Sequence, residues 1–152
     1  MTETELELLK YPIGKFVKPT IIDKTFIDNS IRAIESFPSK LEAEVIYLTD
    51  SQLDTSYRPE GWTIRQVVNH CADSHINSLV RFKLALTEDK PIIKPYYEER
   101  WAELSDSKSM PIIPAIQMLH GIHSRWTILL KSLSDNDIKK TFIHPEHGKE
   151  FS

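Results

Sequence analysis

The chain has 152 residues, 40% of them hydrophobic and 27% charged, which suits a single globular domain with one core. A net charge of −3 with dispersed Lys and Arg excludes a basic nucleic-acid footprint, and no apolar run approaches the roughly 18 residues of a membrane span. Four glycines without GxGxxG or GxxxxGK exclude a glycine-rich phosphate loop, and the lone Cys71 cannot staple the fold.

The first twenty residues read as irregular, because Tyr11-Pro12-Ile13-Gly14 and Lys18-Pro19 break regular elements. The acidic MTETELELLKYP start lacks a signal peptide's basic and apolar regions, so the expected setting is the cytoplasm. Ile27, Ile31, Ile34, Leu41, Val45 and Leu48 predict a first helix from about Asp23 to Leu48, kinked or split by Pro38 and stopped by Thr49-Asp50-Ser51. A second helix spans 62–87, with Ile64, Val68, Cys71, His75, Leu79, Phe82 and Leu86 on its apolar face. Residues 88–110 form a connector made extended by Pro91 and Pro95, with a short helix within Tyr96–Leu104. The third helix spans 111–133, Pro111 being favoured in a first turn, and buries Ile112, Ile116, Leu119, His123, Trp126 and Leu130. The tail KKTFIHPEHGKEFS reads as a strand, a turn at Pro145–Gly148 and the start of another element. Three long helices and an unfinished fourth element imply an all-α helical bundle.

The second helix carries a polar stripe of Gln66, His70, Asp73, Asn77 and Arg81, whose spacings of three and four residues align them on one side. Such a stripe is either a solvated face or the wall of a site. Val67, Ile76, Val80 and Leu84 make the helix apolar on most sides, leaving only Arg65, Asn69 and Lys83 freely wet. That pattern favours a site, with His70 the natural metal ligand. His75 falls on the apolar stripe and reads as a core histidine. His123 is either a hydrogen-bonded core histidine or a group facing His70 across the bundle. His120 reads as exposed. His144 and His147 have HxxH spacing, a weak signal with Pro145 between them, and Cys71 reads as a small buried residue. A metal site needs three protein ligands, and this pattern supplies one strong candidate.

The run SQLDTSYRPEGWTIRQVVNHCADSHINSLVRFKLALTE, with YPIG before it and RWTILLKSL and FIHPEHGKE after it, resembles the YfiT branch of the DinB-like superfamily over most of residues 11–150. The resemblance implies a DinB/YfiT-like four-helix bundle, cytoplasmic and homodimeric, acting as a metal-dependent hydrolase or a low-molecular-weight thiol (bacillithiol-type) S-transferase. It implies one nickel or zinc ion per subunit, with His70 as the first of three histidine ligands. The other two belong to a final helix beyond the HPE-G-KE turn, so the expectation is a single domain truncated at Ser152, with an apolar groove where that helix packs. In that reading Asp73 and Gln66 orient the reacting groups, and Asn77 and Arg81 bind a small-molecule substrate. The competing expectation is a non-catalytic bundle that binds a partner, or itself, through the exposed groove.

Overall fold

The computed structural model describes residues 2–145 and 149–151. Helix α1 (Glu3–Lys10) opens the chain, where the sequence reading expected irregular structure. The Thr2 side chain accepts from the Glu5 backbone N–H while the Glu5 carboxylate accepts from that of Thr2, a capping box that satisfies two otherwise orphaned donors.

Helix α2 (Lys24–Val45) starts where expected, with the Asp23 carboxylate accepting from the Phe26 N–H at 2.8 Å. Pro38 lies buried inside a single helix and does not split it. Thr49 does more than stop α2: it caps the one-turn helix α3 (Asp50–Leu53) with Gln52. Helix α4 (Ile64–Thr87) carries the polar stripe, its start fixed by a Thr63–Gln66 capping box. The connector holds two single turns, α5 (Glu98–Trp101) and α6 (Ser105–Lys108), in place of one short helix. Helix α7 (Ile113–Lys131) has Pro114 in its first turn, and α8 (Asp135–Ile138) is capped by Ser134. Strands β1 (Phe142–His144) and β2 (Lys149–Phe151) form an antiparallel hairpin, with Phe142 opposite Phe151.

Helix α7 packs against both α2 and α4. The larger core group joins Val45, Leu53, Val68, Ala72, Ile112, Ala115, Ile116 and Leu119, and a second joins Leu79, Ile122 and Trp126. The apolar period of α7 therefore reports its core face correctly, from Ile112 through Trp126. On α4, Ile76 and Val80 remain 38% and 49% exposed, so that helix is less enclosed than its composition implied. The connector is fixed to β1 by Ile93 N–H donating to the Ile143 carbonyl and Ile143 N–H to the Pro91 carbonyl. No helix among the described residues is long and apolar enough to cross a membrane.

Arg65 corrects the sequence reading. Expected on the wet side of α4, it is 4% exposed. Its Nε donates to Asp54 at 2.7 Å, one terminal nitrogen to Asp50 at 2.8 Å and the other to the Met110 carbonyl at 3.0 Å. A buried guanidinium needs such partners, and they lie 11, 15 and 45 residues away in sequence.

Candidate metal and substrate site

The turn before α4 sets the entrance to the site. Gly61 N–H donates to the Arg58 carbonyl, and Tyr57 N–H to the Trp62 carbonyl. A Cβ at Gly61 would lie 2.6 Å from Arg58 Cγ, so this turn needs glycine to stay closed. It delivers the Trp62 ring to His70, centroid to centroid 4.8 Å. Tyr57, Trp62, Ile64, Val67, Val68 and His70 line a cleft of about 390 Å³. On the other side of the imidazole, Nε2 lies 3.9 Å from the Glu98 carboxylate, and the side chain is 24% exposed. His70 thus stands partly shielded between an aromatic-aliphatic cleft and a group of acids.

The rest of the stripe faces the connector. Gln66 is buried and fully engaged: Oε1 accepts from Thr63 N–H at 2.9 Å, and Nε2 donates to the Ala102 carbonyl at 2.8 Å and to Glu103 at 3.2 Å. It therefore locks the connector onto the first turn of α4. Asp73 is half-buried; desolvation, reinforced by Asp106 and opposed by His70, raises its pKa above the ordinary carboxylate value. Asn77 Nδ2 donates to the Asp73 backbone carbonyl at 2.8 Å, leaving its side-chain oxygen as the outward polar group. Arg81 Nε is buried and finds no hydrogen-bond partner among the described residues.

The other histidines separate from His70. His123 Nδ1 lies 2.6 Å from the Ile34 carbonyl, which only accepts, so that nitrogen carries the proton. Its Nε2 then accepts from His75 Nδ1–H at 2.7 Å. Phe37 packs on both rings, at 4.8 and 5.3 Å. His75 and His123 are thus a hydrogen-bonded interior pair, and with both nitrogens spent His123 has no lone pair to offer a metal. Burial, helped by the proximity of His123 and His70, pushes the His75 pKa down to about 4. His120 is exposed, its Nε2 2.8 Å from Glu42. His144 is half-buried on β1, and His147 lies outside the described residues. Burial raises the Cys71 thiol to about 11, so it is an inert thiol near neutral pH.

Among the described residues no three His, Cys, Asp or Glu side chains converge as a metal group. His70 has the chemistry of one ligand, and these residues do not complete a donor set around it.

A helical bundle with one shielded imidazole at the head of a buried polar stripe defines a class of candidate metalloproteins built between helices. The DinB superfamily profile matches residues 33–152, and the chain belongs to that superfamily. It is 52% identical over 141 residues to a protein of Bacillus cereus (strain B4264) named as a metal-dependent hydrolase of inferred function, covering 93% of this chain and 81% of that protein. A protein of the same description from Bacillus mycoides (strain KBAB4) matches equally well, 52% identical with the same coverage. The solved structure of YfiT from Bacillus subtilis, described as a probable metal-dependent hydrolase with an unusual four-helix bundle topology, superposes with a TM-score of 0.93 at 47% identity. That superposition covers 95% of this chain and 83% of YfiT.

Sequence reasoning missed Tyr96 and Glu98, which the connector brings to the stripe. Tyr96 Oη is buried without a hydrogen-bond partner among the described residues, and its ring packs 4.6 Å from that of Trp101. The signal that could have found it was the extended connector fixed by Pro91 and Pro95, which must run along some face of the bundle.

Proposed function

We propose that this chain is a metal-dependent enzyme of the hydrolase or thiol-transferase kind, with His70 as one ligand of a nickel or zinc ion, one per subunit. The observation that carries this reading is the separation of the histidines. His75 and His123 are consumed by each other, whereas His70 is held against Trp62 with its Nε2 directed toward acids at the mouth of a cleft. The names of the relatives support the metal-dependent class. A divalent ion supplies Lewis acidity and brings the pKa of a bound water or thiol toward neutrality, which serves hydrolysis and thiol transfer alike.

The chain's own residues then have defined tasks. Trp62 restrains the His70 ring, and the Tyr57–Trp62–Val67 cleft receives the apolar part of a small-molecule substrate or thiol. Asp73, biased toward its protonated form, can hold or return a proton beside the reacting group. Gln66 acts on the site indirectly, by fixing Ala102 and Glu103 and with them the acidic connector. Asn77 and Arg81 extend the substrate wall. The test is calorimetric titration of the 152-residue chain and its His70→Ala variant with nickel and with zinc. Weak uptake that vanishes in the variant supports the assignment; uptake indifferent to His70 refutes it.

A second reading, self-association into a homodimer, is favoured by the exposure of Ile13, Phe16, Val17 and Ile21, between 74% and 99%. Light scattering on the chain and on Phe16→Asp tests it: a dimer converted to monomer supports it, and a monomeric parent chain refutes it.

A further inference from the structure

Two buried donors on the polar face are unsatisfied, and they come from different elements. Arg81 Nε belongs to the C-terminal half of α4, and Tyr96 Oη belongs to the connector. Leaving a buried donor unpaired costs free energy, so a pair of them on one wall is an unfilled acceptor position and not idle packing. The two groups sense each other: Arg81 favours the ionised form of Tyr96, although burial raises the phenol's pKa overall.

We propose that Arg81 and Tyr96 form a clamp for a carboxylate group of the substrate, a deepening that rests on the functional reading above. One oxygen accepts from Arg81 Nε–H and the other from the Tyr96 hydroxyl, giving two charge-assisted hydrogen bonds. The surroundings select the charge type. Asp73 and Glu98 both act on Tyr96 from nearby, and Asp106 acts on Asp73. With three acids around one guanidinium, a dianionic phosphate meets more repulsion than a monoanionic carboxylate.

The clamp also sets a length. His70 and Arg81 are eleven residues apart on one helix, about 16 Å of axial rise. A helical side chain leans back toward the N-terminus, so the guanidinium lies nearer to His70 than its Cα does. The substrate is therefore an elongated molecule with its reactive group and its carboxylate on the order of 10 Å apart.

The experiment follows the Arg81 Nε–Hε resonance by NMR in the metal-free chain while sodium acetate is added to 50 mM at roughly constant ionic strength, with chloride and inorganic phosphate as parallel titrants. The expected result is a saturable acetate shift that chloride does not reproduce and that phosphate reproduces more weakly. In Tyr96→Phe, which keeps the ring against Trp101, the acetate affinity should fall about threefold to tenfold. In Arg81→Gln, the stabilisation of the thermal midpoint by acetate should disappear. A shift that chloride matches, a phosphate affinity above that of acetate, or acetate stabilisation surviving in Arg81→Gln would each overturn the clamp. No metal enters these titrations. A failed clamp beside His70-dependent metal uptake discards the clamp alone, whereas a working clamp with His70-independent uptake discards the metal assignment alone.

Discussion

Replacing Arg65 by Met removes a guanidinium that anchors the first turn of α4 to α3 and to the segment before α7. The side chain is 4% exposed and makes three hydrogen bonds, two of them to carboxylates. A fully buried ion pair broken from one side costs about 3–5 kcal/mol, because a charge is left stranded. Here the stranded partners are Asp50 and Asp54, whose side chains are 87% and 56% exposed, so water recovers much of their solvation. What is not recovered is the Met110 carbonyl contact and the geometry of three segments, while the Met stem preserves most of the packing. We therefore expect Arg65→Met to cost about 2 kcal/mol, and Arg65→Ala about 3 kcal/mol, through the added cavity. In a domain of this size 2 kcal/mol lowers the melting midpoint by roughly 4–8 °C. The assay is urea unfolding with a double-mutant cycle against Asp54→Asn, where the coupling should be about 1 kcal/mol. An Arg65→Met midpoint unchanged within about 0.5 kcal/mol would show Arg65 to be the wet-face residue that helical periodicity implied.

The two α4 histidines should respond oppositely to truncation. His75→Ala should cost about 1–3 kcal/mol, because it removes the donor to His123 and the contact with Phe37, and leave metal uptake intact; His70→Ala should abolish uptake with a small change in thermal midpoint. Metal content and melting measured on both variants check this, and a reversed pattern refutes it. Acid should weaken the fold through His75. With its folded pKa near 4 and an unfolded value near 6.5, the unfolded chain takes up the proton first, so the stability present above pH 6.5 is lost as pH falls toward 4 and levels off below. Partial exposure screens the effect to about 1–2 kcal/mol, readable by urea unfolding between pH 7.5 and 4 in the native chain and in His75→Gln. Cys71 should resist thiol reagents in the native state at pH 8, where about one part in a thousand is thiolate, and react rapidly once the chain is unfolded; rapid native-state labelling would show that the thiol is open to solvent.

The sequence by itself determined the three long helices, because each carries its own apolar period and its own start signal. Asp23 before Lys24 and Thr63 with Gln66 are local hydrogen-bonding devices, and local devices are legible in one dimension. The Thr2–Glu5 box of α1 was equally legible and was masked by the Pro and Gly that follow it. The tail hairpin announced itself through Phe142-Ile143 before Pro145. Helical pitch also placed Gln66, His70, Asp73, Asn77 and Arg81 on one side of α4. What pitch does not contain is the identity of whatever faces that side. Only the tertiary structure could bury Arg65 beneath Asp50 and Asp54, spend the Gln66 amide on Ala102, pair His75 with His123 across two helices and set Tyr96 beside the stripe. Each of those contacts joins segments 11 to 48 residues or roughly a dozen or more apart in the chain, and their energies depend on desolvation and distance, which exist only once the helices have packed.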